Sequence, residues 1–355
     1  MPQSADVDMA DVDMQMAQDP NDEFSTKLSL PKFISVCKSL SPKQRGYVAD
    51  IGQESLLDIR LEEIPRAFVA WIVSNYVASK RMFVFKNGFD FAFNAPCVHK
   101  VLGTPIGGRR IPIKCSEQFR DVVRNRSCCE GSTPTINELM NMLSSDLEEE
   151  DFKIYWMMFC ITAFLCPTTY DCVSPDYLSA LEGPSEEIPT YDWFTAVFQK
   201  LSVSMKTFVA CGLQGALCGC LVVPLMTYLE YLDIKVKELA SVVPRISVWD
   251  SVTVSEFEKL DLVSAEDGTY GEIPLKDVRR TPFHQSGSST FCIGDLHPGL
   301  ETFLCSFVKP AMRPLAIDDL KEIQQGLYFE IFSAIQPIIN NKIANVLQLA
   351  SHYNE

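Results

Sequence analysis

The chain has 355 residues, of which 47% are apolar and 10% aromatic, and a formal net charge of −15. That apolar content excludes a wholly disordered chain, and that charge argues against general attraction to nucleic acid. The length suggests about two domains, or one large domain with extensions.

Residues 1–26 hold seven acids and no base, and ADVDM occurs twice in succession at 5–9 and 10–14. Alternating Asp with Val and Met builds no core, so 1–26 is expected to be a disordered acidic tail. The acidic start is also unlike a secretory leader. A globular pattern begins near Leu28. Ser41-Pro42 predicts a short helix closed by Gly52, and Pro65 opens another with Phe68, Trp71, Ile72 and Tyr76 along one side. Met82 to Phe93 reads MFVFKNGFDFAF, in which Asn87-Gly88 between alternating aromatics predicts a β-hairpin.

Asn94 is placed to cap the next helix. Val98, Val101 and Leu102 fall at helical spacing, and Gly103 supplies a left-handed stop before Thr104-Pro105 and a Gly107-Gly108 turn. Helices follow at Ser116–Arg126, Thr135–Leu143 and Glu148–Leu165. Cys166-Pro167 ends the last of these, and Ser174-Pro175 starts another. Tyr191–Val209 is amphipathic.

Thr207 to Leu229 contains no charged residue and has the length of a membrane span. Gly212, Gln214, Gly215 and Gly219 dilute it and Pro224 interrupts it. It is therefore read as a loop or helix start near Cys211 followed by a buried helix from about Leu217 to Leu232, with no membrane span. Beyond Pro244 the periodic signal thins, and 264–300 reads as irregular. Leu315 to His352 returns to helical spacing, with Leu320, Ile323, Leu327, Ile331, Ile335 and Ile343 apolar and a break expected at Pro337. The chain thus reads as a mainly α, multi-helix globular domain over 27–285 with one small β-hairpin at about 82–93. An irregular connector over 286–314 and a C-terminal helical segment over 315–355 follow.

The thirteen cysteines include no CxxC pair and no zinc-ligand spacing. They fit buried, reduced thiols of the nucleus or cytoplasm, with no metal and no cofactor expected. His99 reads as a core-edge histidine bonded to backbone, and Cys166 as inert core. Asp171 and Asp176 read as charges that cap or neutralise a helix start rather than an acid/base pair. GTPIGGRR at 103–110 lacks the phosphate-loop arrangement and no strand immediately precedes it. Between Lys100 and Arg126 seven bases face only Glu117 and Asp121. Within this strip Arg109, Arg110, Lys114, Arg120 and Arg124 are the candidate contacts for an anion or nucleic acid; a solvated face is the plainer account.

Three segments, VHKVLGTPIGG at 98–108, LCPTTYDCVSPDYLSAL at 165–181, and GCLVVPLMTYLEYLDI at 219–234 followed by VPRISVW at 243–249, resemble in order and separation the plant mobile domain family. Its members are also labelled "aminotransferase-like", and the likeness, covering roughly 30–285, is to the grass-type set. The resemblance implies a helical domain of transposon origin, nuclear roles in silencing and genome maintenance, and no defined catalytic residues. In many grass relatives a SUMO-protease-like region follows the domain, and no His-Trp pair with a later Asp and Cys of that type is read in this sequence. Aminotransferase chemistry is not expected, because no lysine sits in a Gly/Ser-rich apolar pattern and the strand content is too small for an α/β body. The expectation is a non-enzymatic module acting in the nucleus, otherwise the cytoplasm, through protein partners. The alternatives are nucleic-acid association through 100–126 and a non-functional element fragment.

Overall fold

A computed structural model describes residues 24–283, apart from 87–88, 106–107, 113, 128–132, 235–238, 241 and 278–280. The described chain is mainly α-helical with two small antiparallel sheets. Helix α1 (Leu30–Ser39) carries Pro31 in its first turn, and α2 (Pro42–Asp50) opens on a reciprocal capping box between Ser41 and Gln44. Pro65 precedes α3 (Arg66–Ser74), which buries Phe68, Val69, Ile72 and Val73. Tyr76, expected on that helix, instead begins β1 (Tyr76–Val77), because Asn75 already caps the last turn.

Strands β2 (Met82–Val84) and β3 (Asp90–Ala92) form the expected hairpin, with Phe83 opposite Phe91, and β1 adds a third strand. The Asn87-Gly88 turn lies outside the described residues. Then come α4 (Ala95–Leu102), α5 (Glu117–Arg124), α6 (Ile136–Leu143) and α7 (Glu149–Cys160). A π-helical turn at Ile161–Leu165 prolongs α7 to the expected stop before Cys166-Pro167. The chargeless run divides between the end of α8 (Trp193–Ala210), a turn, and α9 (Val222–Tyr231), which is buried along its whole length. Among the described residues no helix is long and apolar enough to cross a membrane.

Where the periodic signal thins after Pro244 the chain still forms a helix, and a small hairpin runs into the 264–300 stretch expected to be irregular. Helix α10 (Ser251–Asp261) starts on Asp250, whose carboxylate accepts the Thr253 N–H at 2.8 Å, and a small hairpin follows in β4 (Leu262–Ser264) and β5 (Thr269–Tyr270). The β-branched Val252, Thr253 and Val254 blur the helical period of α10. The hairpin is signalled by Asp267-Gly268, with Gly268 at φ +57. At the other end, Phe24 is fully buried and meets Phe208 edge-on at 5.9 Å, and Ser25 N–H bonds Gly215 O at 3.1 Å. Phe24 and Ser25, inside the segment assigned to the acidic tail, therefore belong to the folded body. The 286–314 connector and the 315–355 helical segment lie outside the described residues.

One apolar core joins these elements. Phe33 of α1 stacks on Phe159 of α7 at 5.7 Å and on Phe164 of the π turn at 4.5 Å. Trp71 of α3 packs against Phe85 and Tyr228 at 5.4 and 5.5 Å, and Phe91 of β3 lies flat on Tyr231 of α9 at 4.1 Å. Each such ring contributes about 1.5–3 kcal/mol on burial. Aromatic pairing adds about 0.5–1.5 kcal/mol.

Candidate functional site

The segment 98–110 is a structural corner. Helix α4 ends at Gly103 with φ +72, and the Gly103 N–H donates to His99 O at 2.8 Å. The His99 ring bonds Thr104 O through Nδ1 at 2.8 Å, the backbone-held role expected for it. Asn94 occupies the cap position, but its side chain makes no capping bond to the helix backbone; the Cys97 thiol donates to Asn94 Oδ1 at 3.4 Å instead. Pro96 in the first turn leaves fewer amide donors there to cap. Gly107 lies outside the described residues.

The basic strip is largely neutralised from within. Arg109 donates to Glu187 Oε2 at 2.7 Å, lies over the Tyr191 ring at 4.8 Å, and its backbone N–H and C=O bond Thr190 O and Asp192 N–H. Arg124 reaches Glu117 at 3.1 Å and Asp121 at 3.2 Å, and Arg120 reaches Glu117 at 3.7 Å. Arg110 and Lys114 stand exposed on the link between α4 and α5. The structure therefore splits the five candidates: three face carboxylates of this chain, and two face solvent. A phosphate at Arg109 would compete with a carboxylate already in place.

Nucleophilic chemistry finds no support at Cys166. Burial pushes its thiol up to about 12, and Tyr177 is its hydrogen-bond partner. Cys37 is likewise pushed up to about 12. A thiol so far from ionisation is a weak nucleophile. The corner's role is structural: Gly219 N–H bonds Pro167 O at 2.9 Å, joining the 165–181 and 219–234 segments. Asp171 acts through its backbone carbonyl, which accepts the Ile136 N–H at 2.8 Å at the start of α6. The Asp176 N–H donates to Ser174 Oγ at 3.4 Å, so Ser174 caps that turn and Asp176 sits in its first residues. Among the described residues no three His, Cys, Asp or Glu side chains are grouped to hold a metal.

A buried charge network was not legible beforehand. Glu230 of α9 is 4% exposed and Arg245 is 1% exposed. Arg245 Nε donates to Glu230 Oε1, and Trp249 Nε1 donates to the same oxygen at 2.6 Å. The second arm of the guanidinium, Nη1, donates to Ala240 O and, at 2.8 Å, to Val242 O. The one available signal was position: Glu230 is the first charge after the chargeless run, and Arg245 lies inside VPRISVW.

The stretch 242–263 carries the exposed apolar side chains with the strongest claim to a binding role. Five of the ten large, exposed apolar side chains among the described residues fall within 242–263: Val242, Val243, Val252, Leu260 and Val263. Scattered singly, such side chains need no explanation; grouped, they mark contact surfaces. Two open grooves of about 440 Å³ each occupy this stretch. One is floored by Val242 and Val248 with Asp58 and Arg60 at its edge, and the other runs along α10 past Val252, Glu256 and Lys259.

A family profile described as "Domain of unknown function (DUF8566)" matches residues 26–225. No curated protein and no solved structure matches the chain. The exposed apolar stretch lies C-terminal to the matched span and is joined to it through α9.

Proposed function

The chain belongs to the DUF8566 family, whose description assigns no activity, and from that premise we propose that it is a non-enzymatic interaction module of transposon origin, working in the nucleus through protein partners. The observation that carries this reading is the run of exposed apolar side chains within 242–263, of which Val242 and Val252 each line an open groove. Apolar contacts of this kind, rimmed by polar side chains such as Asp58, Arg60, Glu256 and Lys259, suit a protein partner. The resemblance of 98–108, 165–181 and 219–249 to the plant mobile domain supports the nuclear setting and the transposon origin. Affinity capture from nuclear extract, with and without nuclease, tests the reading. Partners retained after nuclease and lost from the Val242→Asp/Val252→Asp double variant support it; capture unchanged by both substitutions overturns it.

Nucleic-acid association through 100–126 is the second reading, favoured by the exposure of Arg110 and Lys114. It predicts binding that weakens steeply with salt and falls on Arg110→Glu/Lys114→Glu. The internal pairing of Arg109, Arg120 and Arg124 makes it the weaker of the two.

A further inference from the structure

The turn between β1 and β2 meets α8 in a basic face. Residues 64–89 hold four bases and residues 193–229 hold two, and neither run contains an acid, on a chain of net charge −15. The fold joins the two runs: the Tyr76 hydroxyl and Ser202 Oγ lie 2.8 Å apart, tying β1 to α8. Burial raises the pKa of that hydroxyl, and the charge of Arg81 works against the rise, so the guanidinium stands beside it. Lys206 follows Ser202 by one turn of α8 and faces solvent, as does Val203, which is 65% exposed. Lys80, next to Arg81, is exposed as well. Among the described residues Lys80, Arg81 and Lys206 form no ion pair. Asp90, the acid that follows along the hairpin, stands opposite Val84, toward the other end of β2.

Arg81 is held in place at a cost. It ends the four-residue link between the paired Val77 and Met82, at φ +51, where glycine or asparagine is the easy choice. Its N–H donates to Ala78 O at 3.2 Å and its carbonyl accepts from Phe93 N–H at 2.8 Å, so the backbone there is fixed. The turn gains nothing from an arginine side chain; what the arginine adds is a charge on this face. We propose that Lys80, Arg81 and Lys206, around Val203, bind a short acidic segment of a protein partner, with an aliphatic side chain of that segment on Val203. The acidity of the rest of the chain sets the length of the anion. At physiological salt attraction reaches about 8 Å, so a long polyanion such as a nucleic acid would lay most of its charge along acidic surface, whereas a short segment meets only the bases. The proposal rests on the reading of the chain as a protein-binding module, but it shares no residue with 242–263, so the two faces stand or fall by separate variants.

The test uses the full chain and fluorescence anisotropy with two probes: a labelled peptide of repeated Glu-Glu-Leu triplets and a labelled single-stranded oligonucleotide of equal charge. The expected result is peptide binding that weakens with salt, exceeds oligonucleotide binding, and falls about tenfold in Arg81→Gly/Lys206→Glu. Glycine suits φ +51, so the thermal midpoint of that variant is retained and lost binding is not lost fold. Lys259→Glu, the same reversal of charge on α10, is expected to leave binding unchanged. Equal losses in Lys206→Glu and Lys259→Glu, binding unaltered by the double variant, or no peptide binding overturns the proposal. Stronger binding of the oligonucleotide overturns it in favour of nucleic acid. Peptide binding that emerges only once residues 1–22 are removed overturns it in favour of the chain's own acidic run as occupant.

Discussion

Gly103 and Pro244 are packed so closely that a Cβ on Gly103 would lie 2.8 Å from Pro244 Cγ and 2.7 Å from Ser55 Oγ. The left-handed stop of α4 is thus also the place where the 243–249 segment docks. Gly103→Ala combines a positive φ with these collisions and is expected to cost about 1–3 kcal/mol. Thermal or urea unfolding checks this. A variant as stable as the parent would show that the corner relaxes freely.

The Glu230–Arg245 pair gives a sharper energetic test. Either Glu230→Gln or Arg245→Met leaves one charge buried without its partner, and each is expected to lose about 3–5 kcal/mol. The double substitution restores much of that loss, since a neutral buried pair carries no orphan charge. Urea midpoints of the four proteins form a cycle, and strict additivity would contradict the pairing.

Asp261 predicts a pH dependence. It is fully buried at the end of α10, where its carboxylate accepts from Tyr228 OH at 2.7 Å, Gly271 N–H at 3.2 Å and Ile273 N–H at 3.0 Å. Burial, with a smaller push from Glu272, raises its pKa to about 6 from 3.8. The folded protein then binds a proton more readily than the unfolded chain. Its contribution to stability is complete below about 3.8 and is lost as pH rises through about 6. The difference between parent and Asp261→Asn is expected to change by on the order of 3 kcal/mol across that window. The slope is the readout, because asparagine also disturbs the two backbone donors; parallel stability–pH curves would sink the idea.

Thiol labelling separates surface from core. Among the nine cysteines of the described residues only Cys211 is exposed. It is expected to react with an aromatic disulfide reagent in the native state. Cys37, Cys160, Cys166 and Cys220, all buried and raised in pKa, wait for unfolding. Peptide mapping after brief labelling decides. Early modification of Cys166 would contradict its burial.

The sequence carried the local part of this fold well. Ser41-Pro42, Thr135 and Gly103 are local signals, and each bounds a helix where it was expected. His99 was readable for the same reason, since its partner is Thr104. What escaped depends on chain that folds back. Glu230, Arg245 and Trp249 show nothing by themselves until α9 brings them to one point. Arg109 looked unpaired within the strip 100–126 because Glu187, which holds it, is supplied from 78 residues away. The helical start at Asp250 is present in the sequence, but the β-branched Val252, Thr253 and Val254 weaken the helical period that follows it.

The family match ends at Leu225, in the middle of α9. A polypeptide cut there would keep the aromatic floor made by Phe68, Trp71 and Phe85 but lose Tyr228, Tyr231 and Tyr270, which cover those rings and Phe91. The unit of sequence similarity and the unit of folding therefore have different edges. Expression trials that follow the similarity boundary would produce an open, sticky fragment, whereas a fragment extended to Phe283 retains the residues that close the core.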